Sequence, residues 1–358
     1  GMEKEMSAAK TVRGIKVGDR AVGNGAPALL IAEVGQAHEG SLGTAHAFID
    51  ASAAAGADAI KFQTHIAAAE STLDEEFRVK FSKQDATRYD YWQRMEFTAE
   101  QWAGLAKHAA EKGLIFLSSA FSVAAVELLD KLGHPAWKIG SGEYKSTDLM
   151  AAMAATGRPI LLSTGMSRWA EIAESAAGIR ALGVDLALFQ CTSRYPTPLD
   201  AVGLNVIDEL RETHGCPAGL SDHSGSPFPS LAALARGVDM IEVHVTFDRG
   251  LFGPDVPASL TFDQFRQVAD ARAAFAQMDA NPVDKDLVAD EMETMRGLFT
   301  KSLAPTRALA KGTVLAADML TAKKPGTGIA ATRLDEMLGR TLARDVAADR
   351  LLRPEDLQ

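Results

Sequence analysis

The chain has 358 residues, 47% hydrophobic and 23% charged, with a formal net charge of −10. This composition fits a soluble globular protein with one large domain and a small one. The acidic balance excludes general binding to nucleic acid or to an anionic membrane, so an anionic substrate would need a local pocket of Lys and Arg.

The opening "GMEKEM" lacks the charged-then-apolar order of a secretory leader. No apolar run reaches the roughly 18–20 residues that span a bilayer. Cys191 and Cys216 fall in no CxxC or zinc-like spacing. Together these features predict a cytoplasmic protein with free thiols and no membrane partner. From Ala28 to Met278, short apolar runs alternate with Ala-rich helical stretches. The expected strands are "ALLIAEVG", "AIKFQT", "LIFLSSAF", "AWKIGSGE", "PILLSTGM", "LALFQCT", "AGLSDHS" and "MIEVHVT". Gly56, Gly113, Gly133, Gly157, Gly183 and Gly237 close the intervening helices at expected C-caps. Strands alternating with helices pair in parallel, and eight units over about 250 residues predict an α/β fold of the (β/α)8 TIM-barrel type rather than an open doubly wound sheet. The sequence has no GxGxxG fingerprint.

The connection at 66–97 is long and aromatic, and is read either as a lid or as a packed surface excursion. The catalytic barrel is expected over 1–280, a polar linker over 281–300 and a small domain over 301–358. Within the last, "RALAKGTVLAADML" (Arg307 to Leu320) aligns without gaps to "RDVAADRLLRPEDL" (Arg344 to Leu357). The alignment predicts a pseudo-symmetric unit.

Barrel enzymes carry their chemistry at the carboxyl ends of the strands. Those ends bring Glu33; Lys61, Gln63 and His65; Ser118 and Ser119; Lys138, Ser141 and Glu143; Ser163 and Thr164; Ser193, Arg194 and Tyr195; Ser221 and His223; Glu242 and His244. Lys61 and Lys138 interrupt apolar strands, where an ammonium without an anion is costly, and with the ring of hydroxyls they suit a phosphate and a carboxylate. His223 and His244, on neighbouring strand ends beside Glu242 and ahead of Asp255, suit a weakly held divalent metal such as Mn(II).

At these residues the chain resembles the sialic acid synthase (N-acetylneuraminate synthase) family. The matching stretches are "IAEVGQAHEGSLGTA", "GADAIKFQTH", "GLIFLSSAFS", "AWKIGSGE", "PILLSTGMS", "CTSRYPTP", "GLSDHSG", "EVHVTFDR" and "GPDVPASL". The tail "KGTVLAADMLTAKKPGTGI" resembles that family's antifreeze-like SAF domain, a β-clip. The resemblance implies condensation of phosphoenolpyruvate with an N-acyl hexosamine and water, giving a nonulosonic acid and phosphate for surface polysaccharide. It implies Mn(II) or Mg(II) as cofactor and a domain-swapped homodimer. By motif, Lys61, Ser119, Lys138, Ser141, Ser163 and Ser221 would hold phosphoenolpyruvate, with Ser193 where the family commonly has Asn. His223 and His244 would bind the metal. Glu33, Gln63, Tyr195 and Asp255 would contact the sugar, and Glu143 or Glu242 would handle protons, with Glu33 as a third candidate. The small domain departs from the family in placing Lys324 where an arginine usually holds the N-acyl group, and Lys lacks a planar two-pronged donor. An acceptor of legionaminate, pseudaminate or spore-coat type therefore stands beside N-acetylmannosamine. Two alternatives remain open: a barrel condensing phosphoenolpyruvate with an aldose phosphate, and a catalytically silent sugar-binding paralog.

Overall fold

The computed structural model describes residues 13–140, 142–165 and 167–358, so "GMEKEM" and Ser141 lie outside the described residues. The chain divides into two compact units, Gly1–Asp279 and Ala280–Gln358.

The first unit opens with an antiparallel hairpin, β1 (Ile15–Val17) and β2 (Arg20–Val22). Eight strands follow: β3 (Leu29–Gly35), β4 (Ala59–Thr64), β5 (Ile115–Ala120), β6 (Trp137–Ile139), β7 (Ile160–Ser163), β8 (Leu186–Cys191), β9 (Ala218–Asp222) and β10 (Met240–Thr246). They form one parallel sheet in the order β5-β4-β3-β10-β9-β8-β7-β6. Strand β5 lies beside β6, so the sheet curls into a nearly closed barrel. Each of the eight predicted stretches supplies one strand. The six predicted helix-closing glycines all adopt φ between +72° and +90°, where a side chain would be strained. A two-residue β11 (Leu260–Thr261) pairs with β10.

The alternation of side chains along each strand decides where the polar groups go. One parity (Leu30, Ala32, Val34, Ile60, Phe62, Leu162, Leu188, Val243) packs against the surrounding helices. The other parity begins apolar: Leu29, Ile31, Ala59, Leu117, Ala136, Leu161, Ala187, Phe189 and Met240 fill the barrel with Ile15, Val17 and Val22 of the hairpin. Further along those strands the same inward parity turns polar, with Glu33, Lys61, Ser119, Lys138, Ser163, Ser221, Glu242 and His244. The amino end of the barrel is thus a plugged core and the carboxyl end a charged cup. The hairpin was not among the predicted elements, although "IKVGDRAV" alternates about a Gly-Asp turn of hairpin type.

Ser118 and Thr164 depart from the expected rim. Ser118 pairs in register with Phe62 and so faces the helices, where its hydroxyl hydrogen-bonds Thr64 Oγ1 at 2.7 Å. Thr164 Oγ1 donates to the Phe189 carbonyl at 2.8 Å. Both hydroxyls tie the scaffold together. Within the 66–97 connection, the helix Arg88–Met95 starts at a reciprocal Thr87/Asp90 cap. Its Trp92 stacks on His65 with ring centroids 4.0 Å apart, so this segment is packed against a strand end.

Two buried imidazoles outside the cup give the barrel an acid limit. His134 Nε2 accepts from the Ser118 backbone N–H at 2.8 Å, and His38 Nδ1 accepts from the Gly40 N–H at 3.0 Å. Burial pushes both from 6.5 down to about 3. Below pH 6.5 the unfolded chain binds protons that the folded one refuses, so their contribution is complete above 6.5 and is lost as pH falls. The limiting slope is about 1.4 kcal/mol per pH unit for each histidine. In urea titrations between about pH 7 and 4.5, His134→Gln, whose amide oxygen can still accept from Ser118, should lose stability less steeply than the wild type. Equal slopes would refute neutral burial of His134.

The second unit has its own core of Leu303, Leu309, Leu315, Leu320, Ile329, Met337, Leu342, Val346 and Leu352. Strands β12 (Ser302–Pro305) and β13 (Leu320–Lys323) pair antiparallel. The sequence repeat reappears as hydrogen bonds. Leu309 and Val346, equivalent in the repeat, bond each other reciprocally at 3.0 and 2.9 Å. Thr306 N–H to Met319 O (2.8 Å) is repeated by Ala343 N–H to Asp356 O (2.7 Å). Leu315 N–H to Arg340 O (2.8 Å) is repeated by Leu352 N–H to Leu303 O (3.0 Å). Residues 281–300, expected as a linker, contain the helices Lys285–Glu291 and Glu293–Phe299, the first capped by the Asp284 carboxylate. No helix among the described residues is long and apolar enough to cross a membrane.

Candidate active site

Strand register sets the cup. Glu33 of β3 stands level with Lys61 of β4 on one side and with His244 of β10 on the other. Glu242 stands level with Ser221, and Gln63 with Ser119. Lys61 is 4% exposed and Glu33 1%, so neither charge can rely on water. Lys61 Nζ lies 2.9 Å from Glu33 Oε2 and 3.5 Å from Glu242 Oε1. From the opposite wall, Lys138 Nζ reaches Glu242 Oε1 at 3.3 Å and Ser221 Oγ at 3.4 Å, above the Phe189 ring at 4.6 Å. The chain Glu33–Lys61–Glu242–Lys138–Ser221 therefore crosses the barrel mouth.

The two carboxylates are driven apart. Burial raises Glu33, and the Lys61 charge only partly opposes it. Glu242 is buried too, but Lys138 and Lys61 together hold it down to about 2. Lys61 itself is raised, because the attraction of Glu242 and Glu33 outweighs the burial that would lower it. The two ammonium groups thus converge on one firmly ionised carboxylate, with Glu33 beside Lys61, and stand where an anion could take over part of their contacts. Glu242 Oε2 is buried with no hydrogen-bond partner among the described residues.

Beside this chain, the His223 and His244 rings lie 5.4 Å apart between centroids. Burial pushes His223 down to about 3, which keeps its lone pair free for a metal. Its Nδ1 lies 3.6 Å from Cys191 Sγ. His244 Nδ1 is buried without a hydrogen-bond partner among the described residues and stands 3.7 Å from Asp255 Oδ2. Gly35 borders the ring: a Cβ there would touch His244 Cε1 at 3.4 Å and both Asp255 Oδ2 and Gln63 Nε2 at 3.6 Å, ordinary contacts, so it is the left-handed φ of +58° that calls for glycine. No group of three or more His, Cys, Asp or Glu side chains among the described residues is placed to hold a metal. The donor set fits an exchangeable divalent ion on two imidazoles, with open positions for water or substrate.

The other predicted residues surround these two clusters. Ser163 faces inward in register with Phe189 and hydrogen-bonds Cys191. Exposed Ser193 folds over Gly165, where a Cβ would come within 2.8 Å of the Ser193 hydroxyl. Tyr195, 52% exposed, sets its ring 4.2 Å from His223. Glu143 opens a short turn, and its Oε2 accepts from the Gly140 N–H at 3.0 Å, so its bond goes to backbone rather than to a lysine. Burial raises the Glu143 carboxyl. Lys324 belongs to the second unit, where its Nζ lies 5.5 Å from the Phe299 ring centroid beside a cleft of about 770 Å³ that Lys323, Arg350 and Arg353 also line. Sequence reasoning missed Gly35, Gln36, Glu70 and the role of Cys191. The inward parity of Cys191, two residues beyond Phe189, was the available signal.

Comparison with known proteins follows the same division of the chain. A model described as the NeuB family matches residues 48–283, and a SAF domain model matches residues 300–358. An N,N'-diacetyllegionaminic acid synthase of Campylobacter jejuni is 30% identical over 331 residues, 91% of this chain and 98% of the relative. The human N-acetylneuraminate-9-phosphate synthase is 31% identical over 313 residues, 85% of each chain. The crystal structure of the spore coat polysaccharide biosynthesis protein SpsE of Bacillus subtilis superposes with a TM-score of 0.65 at 29% identity, covering 97% of this chain and 99% of that one.

Proposed function

The chain belongs to the NeuB family, that of the sialic acid synthases, with a C-terminal SAF domain, and from that premise we propose that it is a cytoplasmic transferase making a nonulosonic acid for surface polysaccharide. It condenses phosphoenolpyruvate with an N-acyl hexosamine and water, releasing phosphate. The observation that carries this reading is the sharing of Glu242 by two lysines, Lys61 buried and Lys138 half-buried, next to an imidazole pair.

In this reading Lys61 and Lys138 take the phosphate and carboxylate of phosphoenolpyruvate, with hydroxyls from Ser119, Ser163, Ser193 and Ser221 around them. Gln63, Tyr195 and Asp255 hold the acceptor. His223 and His244 would hold Mn(II) or Mg(II), which supplies Lewis-acid polarisation of the acceptor aldehyde when bound. The C3 carbon of phosphoenolpyruvate forms the new bond to the aldehyde carbon. The aldehyde oxygen takes a proton from Glu33, which burial keeps protonated more readily than an ordinary carboxyl. Water adds at C2 and gives its proton to Glu242 or Glu143. The C2–O bond then breaks, the C2 hydroxyl gives its proton to the departing phosphate and becomes the keto carbonyl, and phosphate leaves. The homodimer implied by the family resemblance belongs to the same proposal, with Lys324 as the small domain's contribution to acceptor binding.

Phosphoenolpyruvate labelled with ¹⁸O at the bridging position tests the scheme. The label should leave with phosphate, because the C–O bond is the one that breaks. Label retained in the sugar acid would mean attack at phosphorus and would overturn it.

A further inference from the structure

His65 stands at the mouth of β4, two residues beyond Gln63, and the proposed reaction gives it no task. It is 4% exposed and lies flat between Trp92 (4.0 Å, 18°) and Phe121 (4.3 Å, 6°). Packing alone would be served as well by a phenylalanine. Both ring nitrogens, however, are engaged. Nδ1 lies 2.9 and 3.0 Å from the two carboxylate oxygens of Glu70, and Glu70 Oε1 also accepts from the Ile66 N–H at 2.9 Å. Nε2 lies 3.1 Å from Gln63 Oε1, which also accepts from Gln36 Nε2 at 3.0 Å.

These contacts fix an amide. A glutamine side chain can present either its oxygen or its amino end unless the two ends meet different partners. Here His65, as the imidazolium that the Glu70 carboxylate pairs with, donates from Nε2 to the oxygen of Gln63, which also accepts from Gln36. The amino end is left facing Glu33 Oε1 at 3.4 Å and the gap beside Gly35, where a Cβ would stand 3.6 Å away. That gap also borders His244 and Asp255. Glu70 and Trp92 both come from the 66–97 connection, so this connection acts on the cup through the imidazole.

Resting on the reading of Gln63 as an acceptor contact, we infer that His65, held by Glu70, is a positioning residue that aims the Gln63 N–H donors at the acceptor sugar. The group so recognised is an oxygen acceptor, a hydroxyl or an amide carbonyl, on the hexosamine. Phosphoenolpyruvate, bound by the lysines, does not depend on it.

The test is His65→Phe in the full-length protein, which keeps a flat ring between Trp92 and Phe121 and removes both polar contacts. The KM for the hexosamine should rise on the order of 10-fold, with the KM for phosphoenolpyruvate changed by less than about twofold. Glu70→Gln should shift the same constant in the same direction by a smaller factor, and it carries the readout if the first variant does not fold. Unchanged acceptor KM, or a fall in kcat with both KM values constant, would overturn the inference, since lost packing only reduces the active fraction. A crystal structure of the His65→Phe variant gives a readout independent of turnover. The Gln63 side chain should leave its place between Gln36 and Glu33, a displacement visible without telling its N from its O, and an unmoved Gln63 side chain would overturn the inference. If the wild type condensed no N-acyl hexosamine while the variant's Gln63 had moved, the proposed reaction would fall and the positioning role would stand.

Discussion

Replacing Lys61 by Met should lower turnover by about 10³-fold and cost the barrel on the order of 3 kcal/mol. The stability cost arises because Lys61 is wedged between two buried carboxylates, and its loss leaves them facing each other across low dielectric. The cost sits at the low end for a broken buried pair because Glu33 can escape by keeping its proton. Adding Glu33→Gln to Lys61→Met should therefore recover part of the stability and none of the activity. Urea denaturation and phosphate release, measured on the single and double variants, separate the two effects. A Lys61→Met protein as stable and as active as the wild type would show that the cross-barrel ion chain is incidental.

His244→Ala should behave differently, losing on the order of 10² to 10³-fold in metal-dependent turnover with little change in fold. Its Nδ1 has no hydrogen-bond partner among the described residues, so truncation orphans no buried group and leaves only a small void beside Gly35. Mn(II) titration followed by calorimetry should show binding in the wild type and its loss in the variant. Retained metal binding and retained activity would remove His244 from the ligand set. Metal-independent turnover by both proteins would remove the metal.

Much of this site was legible because a strand writes its orientation into the sequence. Glu242 and His244 share a parity with Met240, and Lys61 shares one with Ala59, so residues that share a parity had to meet inside the barrel once the strands were counted. The same rule, applied strictly, would have excluded Ser118 and included Cys191. What alternation cannot provide is the level at which neighbouring strands stand, and register is what sets Glu33 between Lys61 and His244. The Glu70–His65–Gln63 contacts were out of reach for another reason. They depend on where an irregular connection returns its side chains, and no periodicity encodes that. In the small unit, a weak repeat of fourteen residues predicted pseudo-symmetry, and the reciprocal bonding of Leu309 and Val346 is the form it takes in the structure. The two short helices before it, taken as linker, did leave a signal, since Val288, Met292, Met295 and Phe299 recur at helical spacing among the charges.

Phosphate release from phosphoenolpyruvate by the wild-type protein, with and without Mn(II), against a panel of N-acylated hexosamines probes the account at its centre. Release should require both the metal and an acceptor aldehyde, with one phosphate formed per molecule of nonulosonic acid. Phosphate released at the same rate without any acceptor, or no release with any hexosamine in the presence of Mn(II), would contradict a condensing cup at the mouth of this barrel.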